Sequence, residues 1–492
     1  MDRSFAIILM AVALPLLVLS CGDPGGVVPD TPPEAPALVS VDPADGTDGL
    51  TGTSLSVVFT YDQNVKLPTA DQGKVSITGG GTVTKVNAYA QAVTVQVDGL
   101  EQGKTYTVSI PFGIVTGFKE NQPGAAAASV RFTMKAEVSY GRDPQKTLTD
   151  PHATRRAAAL YEFLLSQYGK KSLSGAMACS NGWDNTFTDM LGPLAGACPA
   201  ISGYDYLFLN WPPKAWNGCP DYGDITPVRE AWEAGSLIQV CWHWSVPKSQ
   251  AAYEARDPNQ YAFYVSDNKA FRPKDALAAG TWQHACIDGQ IEKLAGYLKL
   301  LADADIPVIF RPLHEAAGDY TWGAWFWWGV DGADPCKQLW KYLYDKLTGT
   351  YALHNLIWVW TVQTSDAGQL ADVEKLEAWY PGDDCVDLVG ADLYVAKGTT
   401  QSAVFKRVND SVKGRKMVAL SEFGNLLDID GYFREDAPWL YFLAWNDYEN
   451  GVPVLYSKDD QGNYNWNNSA SDWKSALGNS HVLNRGSVTD WK

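Results

Sequence analysis

Between residue 145 and the C-terminus, short apolar runs recur with helical stretches between them, and that alternation restricts the fold more than any other feature of the chain. The runs span 171–177, 200–207, 237–244, 306–314, 355–361, 386–394, 416–423 and 453–457. Several are apolar throughout, as in Ile306-Pro307-Val308-Ile309-Phe310. A strand covered on one side only would alternate polar and apolar residues, so continuous runs read as parallel strands buried between layers. The connecting segments, such as 289–302 and 334–347, carry apolar residues at helical spacing. Eight β-then-α units predict an α/β fold, a (β/α)8 barrel over 145–492. Chemistry in such a barrel sits where strands end, so strand-end polar and aromatic residues are the ones to inspect.

Residues 37–136 have another character. Segments such as Ser54-Leu55-Ser56-Val57-Val58-Phe59, Val93-Thr94-Val95-Gln96-Val97 and Thr105-Tyr106-Thr107-Val108-Ser109-Ile110 alternate and are separated by Gly, Asp and Asn turns. This predicts an all-β sandwich preceding the barrel. With Val41-Asp42-Pro43-Ala44-Asp45-Gly46 at its start and Val130-Arg131-Phe132-Thr133 at its end, it resembles bacterial immunoglobulin-like modules. All 20 tryptophans lie at or beyond Trp183. A glycan-binding module usually offers an aromatic platform, so a spacer is the favoured reading for the sandwich.

Residues 1–20 are an apolar segment of signal-peptide length, followed by Cys21 and the flexible Gly22-Asp23-Pro24-Gly25-Gly26. The pattern resembles a bacterial lipoprotein signal, in which Cys21 becomes the lipidated first residue and residues 21–36 form a tether. Multiple acyl chains would then hold the protein on an envelope membrane. Ordinary secretion is the alternative. The other seven cysteines show no CxxC pair or zinc-ligand spacing. Export permits disulfides, but no pairing follows from the sequence.

The 492 residues are 46% hydrophobic and 19% charged, enough apolar material for a large core. The formal charge of -17 argues against nucleic acid as a partner and is compatible with a neutral substrate. His314-Glu315-Ala316-Ala317-Gly318 is not HExxH, and Asp428-Ile429-Asp430-Gly431 brings its glycine too early for an EF-hand loop. No metal or cofactor is expected, and a monomer is.

One strand run ends in Arg311-Pro312-Leu313-His314-Glu315, with Trp325-Phe326-Trp327-Trp328-Gly329 downstream; another ends in Ser421-Glu422-Phe423-Gly424. Two carboxyl groups delivered at the ends of a fourth and a seventh strand, among tryptophans, are the parts needed to cleave a glycosidic bond. Aromatic surroundings disfavour the charge of Glu315 and suit an acid, whereas Glu422 suits a nucleophile. Arg311 and Tyr394 are candidates to hold Glu422.

Together with Ser202-Gly203-Tyr204-Asp205, Trp242-His243-Trp244 and Asp392-Leu393-Tyr394, these motifs make the chain resemble glycoside hydrolase family 26, whose best-known members are endo-β-1,4-mannanases. The resemblance covers most of 145–460. It implies a retaining double displacement, with Glu315 as acid/base and Glu422 as nucleophile. It also implies that His243, Trp325, Tyr394 and Trp445 line the sugar site and that His314 positions substrate or nucleophile. The loop 316–324 is longer than the family's spacer, which makes Trp322 a rival to Trp325. The expected substrate is mannan, glucomannan or galactomannan. Mixed-linkage glucan, β-1,3-xylan and a non-catalytic glycan-binding role are the alternatives. Trp242, Trp244, Trp327 and Trp328 are expected to be packing residues, and Asp205 and Asp392 to orient polar neighbours.

Overall fold

A computed structural model of the chain describes residues 33–136, 139–179, 183–318, 320, 323–364, 372–445, 448–449, 452–453, 468–488 and 491. It divides into two compact units, Met1–Glu137 and Val138–Lys492.

The first unit is a sandwich of two four-stranded sheets. One places Leu38–Asp42, Ser54–Tyr61, Ala92–Asp98 and Thr82–Tyr89 side by side; the other places Thr47–Leu50, Ala128–Met134, Thr105–Ile110 and Ser76–Thr78. Alternation sets the inner faces: Val93, Val95 and Val97 are buried, and the residues between them face outward. Phe59, Val108, Val130 and Phe132 complete the same core.

The second unit is the expected barrel. Its parallel strands are β1 (Ser172–Met177), β2 (Ile201–Asp205), β3 (Leu237–Trp242), β4 (Val308–Pro312), β5 (Leu356–Thr364), β6 (Leu388–Leu393), β7 (Met417–Phe423) and β8 (Tyr441–Ala444). Neighbours pair in that order, and β1 closes the ring by pairing with both β8 and β2. Wherever burial is described, these strands are buried at nearly every residue, because helices cover the outside and side chains fill the inside. The helix Trp282–Asp303 illustrates the cover: Ile287, Ile291, Leu294, Leu298 and Leu301 are buried at helical spacing, and the Thr281 side chain caps the helix by accepting from His284 N–H.

The eighth strand differs from the sequence expectation of 453–457. Tyr441–Ala444 closes the barrel, whereas Val452–Pro453 pairs antiparallel with Tyr448–Glu449, and 454–457 lie outside the described residues. The run from Trp439 to Ala444 is short and uniformly buried, so no periodicity marks it as a strand. Among the described residues, no helix is long and apolar enough to cross a membrane.

Candidate active site

The C-terminal ends of β2 to β8 bring together nearly all the expected residues. Glu315 follows β4, and both Leu313 (φ 49°) and Glu315 (φ 51°) occupy the left-handed region that non-glycine residues avoid. Strained backbone of this kind is retained where surrounding structure over-determines it, here by the tightly packed loop behind Glu315. Gly329 is required in that loop, since a Cβ there would lie 1.6 Å from the Ala316 carbonyl oxygen. The loop is also fixed by two buried indoles: Trp327 donates to the Trp244 carbonyl at 2.7 Å and Trp328 to that of His314 at 2.8 Å. Trp242 and Trp244 are equally buried and stacked at 4.0 Å. All four therefore pack, as expected.

Glu422 lies within β7. A register irregularity between Ala391 and Asp392 sets Asp392 opposite Glu422 across the β6–β7 ladder. Arg311, fully buried on β4, uses its fork on both, donating to Asp392 Oδ2 at 2.7 Å and Glu422 Oε2 at 2.6 Å. The Tyr394 hydroxyl donates to the other Glu422 oxygen. Ser421 donates to Asp392 Oδ1 at 2.7 Å, an approach that needs Gly390, because a Cβ there would meet the Ser421 hydroxyl at 2.2 Å. Trp325 Nε1 donates to Glu315 Oε2 at 2.9 Å. With its amide oriented to satisfy both neighbours, Gln363 donates to Glu315 Oε1 at 2.8 Å and to the Asp392 carbonyl at 2.9 Å. One carboxylate oxygen from each of Glu315, Asp392 and Glu422 lies within 4.8 Å of the other two.

One guanidinium thus faces three carboxyl groups. Burial works against the Arg311 cation, but Asp392, Cys241 and Glu422 reverse this and hold it above its ordinary value. Burial, followed by the facing Asp392 and Glu422, pushes Glu315 well above the usual carboxylate range. Burial also raises Asp392, to about 8, against the pull of Arg311 and Ser421. The cluster behaves as one unit. Arg311 donates to Asp392 and Glu422, whereas Glu315 accepts from the neutral indole of Trp325, so Glu315 is the carboxyl group best placed to carry a proton. The Tyr394 side chain is partly open, but its hydroxyl end is buried against Glu422, and that burial, then the neighbouring Glu422, keeps it in its hydroxyl form.

Beside this cluster runs a polar relay. Asp205 accepts from the His243 backbone N–H at 3.0 Å and meets His243 Nδ1 at 2.5 Å. His243 Nε2 meets His314 Nε2 at 3.1 Å, and His314 Nδ1 lies 3.7 Å from Cys241 Sγ. Burial, then His243 and Arg311, holds His314 neutral, and burial keeps Cys241 as a thiol. With its proton fixed on Nδ1 by Asp205, His243 accepts at Nε2, so His314 donates from Nε2 and receives the thiol proton at Nδ1. His314 therefore stands behind His243. The Trp445 ring packs 5.2 Å from the His243 ring and 5.9 Å from the Arg311 guanidinium.

Among the described residues, two groups have metal-ligand side chains at short range: Cys241, His243 and His314, and the three carboxyl groups. In the first, the polar atoms already satisfy one another in the relay. In the second, Arg311 delivers the positive charge that a cation would bring. Among the other cysteines, burial pushes Cys286, Cys336 and Cys385 up to about 12, which leaves their thiols unreactive.

The sequence reading did not single out Gln363, Cys241, Phe263 or Tyr264. Phe263 packs 5.3 Å from the His243 ring, and Tyr264 stacks on Phe326. Among the described residues of the barrel unit, the exposed large aromatics are Tyr394 (45%), Tyr264 (44%) and Trp216 (39%). Trp216 packs against Phe208 and Trp211 in the loop after β2, whose start is tied to Asp205 through the Tyr222 hydroxyl. Trp322 lies outside the described residues, and Trp325 is the indole that reaches Glu315.

Paired carboxyl groups at the mouth of a parallel barrel define a hydrolase of the glycoside-cleaving class. The profile described as glycosyl hydrolase family 26 matches residues 149–465, and the one described as bacterial Ig-like domain matches 32–134. The chain belongs to glycosyl hydrolase family 26. It is 29% identical over 437 residues to a mannan endo-1,4-beta-mannosidase of Thermothelomyces thermophilus, covering 80% of this chain and 85% of that protein. It is 32% identical over 319 residues to mannan endo-1,4-beta-mannosidase A of a Piromyces species, covering 63% of this chain and 47% of the relative. Among solved structures, the family 26 domain of an endo-beta-mannanase/endo-beta-glucanase from Prevotella bryantii superposes with a TM-score of 0.60 at 31% identity, over 70% of this chain and 100% of that one. A beta-mannanase from a symbiotic protist of the termite Reticulitermes speratus, complexed with gluco-manno-oligosaccharide, gives 0.57 at 31% identity, over 71% and 99%.

Proposed function

We propose that the chain is an endo-acting β-1,4-mannanase that hydrolyses mannan, glucomannan or galactomannan with retention of anomeric configuration. Glu422 attacks the anomeric carbon while Glu315 gives its proton to the glycosidic oxygen, and the bond to the leaving sugar breaks. Glu315, now ionised, takes a proton from the water that attacks the glycosyl-enzyme from the other side, and Glu422 departs. The observation that carries this reading is the asymmetry of two close carboxyl groups. Their oxygens lie within 4.8 Å, Glu315 is pushed toward its acid form, and Glu422 receives two donors. Oxygens that close accord with the retaining separation of about 5–5.5 Å between carboxyl groups rather than with the wider gap of an inverting pair. Arg311 and Tyr394 aim the nucleophile, and His314 positions His243. His243, Trp325, Tyr394 and Trp445 contact the sugar beside the scissile bond.

The test is reducing-end release by the chain after Cys21 on β-mannan, galactomannan, mixed-linkage glucan and β-1,3-xylan. Cleavage of the mannans is expected. Cleavage of glucan or xylan alone would overturn the substrate, and folded protein inert on all four would overturn the enzyme.

The proton on Glu315 has a pH signature. Its raised pKa places the alkaline limb of kcat/KM above the ordinary carboxylate range, and activity falls as pH rises through that value. Stability follows the same sign, since the native state binds the extra proton and becomes less stable as pH climbs from the unfolded to the folded pKa. Glu315→Gln should flatten the alkaline limb and weaken this pH dependence of unfolding. An alkaline limb left in place would assign the proton to another group.

We infer also that the protein is exported and anchored to a bacterial envelope membrane through Cys21. The apolar segment 1–20, the small Ser20 before Cys21 and the glycine-rich sequence after it support this; Cys21 itself lies outside the described residues. Cys21→Ala should release the protein into the soluble fraction and abolish incorporation of a labelled fatty acid. Unchanged labelling would exclude Cys21.

A further inference from the structure

The sandwich gathers four separate segments around one open cleft of about 470 Å³. Asn64 and Lys66 come from the loop after Ser54–Tyr61, Gln72 from the short helix Thr69–Gln72, Asn87 and Tyr89 from the edge strand Thr82–Tyr89, and Phe118 from the loop before Ala128–Met134. Tyr89 is 81% exposed and Phe118 68%. A single exposed ring needs no explanation, but two on one cleft do. Asn87 and Tyr89 are two apart on a strand and so share one face, which places an amide beside a ring. Among the described residues, the side chains of Asn64, Gln72 and Asn87 make no hydrogen bond to protein.

The backbone holds these walls in place. Val65 N–H donates to the Ala90 carbonyl at 2.8 Å, and Lys66 exchanges backbone hydrogen bonds with Thr116 at 2.8 and 3.0 Å. No carboxylate lines the cleft, and its one cation, Lys66, sits 5.7 Å over the Phe118 ring. Ring faces can stack on the C–H faces of a pyranose, and open amides match the paired donors and acceptors of its hydroxyl groups. A polyanion is disfavoured by the chain's charge of -17.

We propose that this cleft binds a neutral β-linked polysaccharide, making the sandwich a second glycan-binding site on the enzyme. The absence of tryptophan had favoured a spacer, but folding brings Tyr89 and Phe118 from distant segments onto one cleft. The polymer expected, β-mannan, rests on the catalytic reading; the cleft does not.

The full chain carrying Glu422→Ala, which leaves polymer uncut, is mixed with insoluble β-mannan, cellulose and β-1,3-xylan, and the protein left in solution is measured. Adding Tyr89→Ala and Phe118→Ala should weaken retention on mannan roughly tenfold, whereas Tyr89→Phe should keep it. The same pair of alanines in the otherwise unaltered chain should leave hydrolysis of a short soluble manno-oligosaccharide unchanged. Retention that survives the double substitution on every polymer overturns the proposal, as does an equal fall in oligosaccharide hydrolysis. A loss on cellulose or xylan but not on mannan keeps the cleft and counts against the mannan reading.

Discussion

Glu422→Ala should lower kcat on β-mannan by roughly 10⁴-fold or more while leaving the fold and oligosaccharide affinity nearly unchanged. The side chain is nearly buried, and its contacts are the donors from Arg311 and Tyr394. Removing it deletes the atom that forms the covalent bond but leaves the aromatic surfaces that bind sugar. The decisive readout is chemical rescue. With an aryl β-mannoside carrying a good leaving group, azide entering the vacated space should give a glycosyl azide of inverted configuration. In Glu315→Ala the nucleophile survives, so azide intercepts the glycosyl-enzyme and the product retains configuration. The two variants should therefore yield opposite anomers. The same anomer from both, or substantial unaided turnover by Glu422→Ala, would remove Glu422 from the nucleophile's role.

The sequence made the barrel legible wherever strands were long and buried on both faces, as in 306–314, because only a parallel strand inside a helical layer tolerates so few polar positions. The strand Tyr441–Ala444 escaped because four buried residues show no period, even though Trp445, which directly follows it, had been picked out by resemblance. Inspecting strand ends led to Arg311, Glu315, Tyr394 and Glu422, and the fold gathers all four. Gln363 was missed because the fifth strand was ended at Thr361, whereas β5 runs on to Thr364. Phe263 and Tyr264 carried no local signal. They reach the site through a long loop pinned by the pairing of Val246–Pro247 with Tyr261–Ala262 and by backbone bonds to Trp325 and Trp327. Tyr89 and Phe118 were invisible for the same reason, since their proximity exists only after the sandwich forms.

Arg311→Met should damage stability and turnover for two separable reasons. The guanidinium is fully buried and neutralises Asp392, which is equally buried. Removing one partner of such a pair leaves an uncompensated charge and costs about 3–5 kcal/mol. The loss should be worst at alkaline pH, where Asp392 cannot escape by taking up a proton, and smallest in acid. Turnover should fall roughly 10²–10³-fold, the usual effect of deleting one preorganised donor at a reacting group. Adding Asp392→Leu separates the two causes. A buried ion pair replaced by apolar residues of similar volume is often neutral in stability, so the double variant should regain most of the lost unfolding free energy. It should not regain activity, because Glu422 still lacks the donor at Oε2 and keeps only Tyr394. Thermal unfolding across pH, read beside kcat/KM for the two variants, gives both answers. Recovery of turnover along with stability would mean that Arg311 serves the fold alone and that Tyr394 suffices to hold the nucleophile.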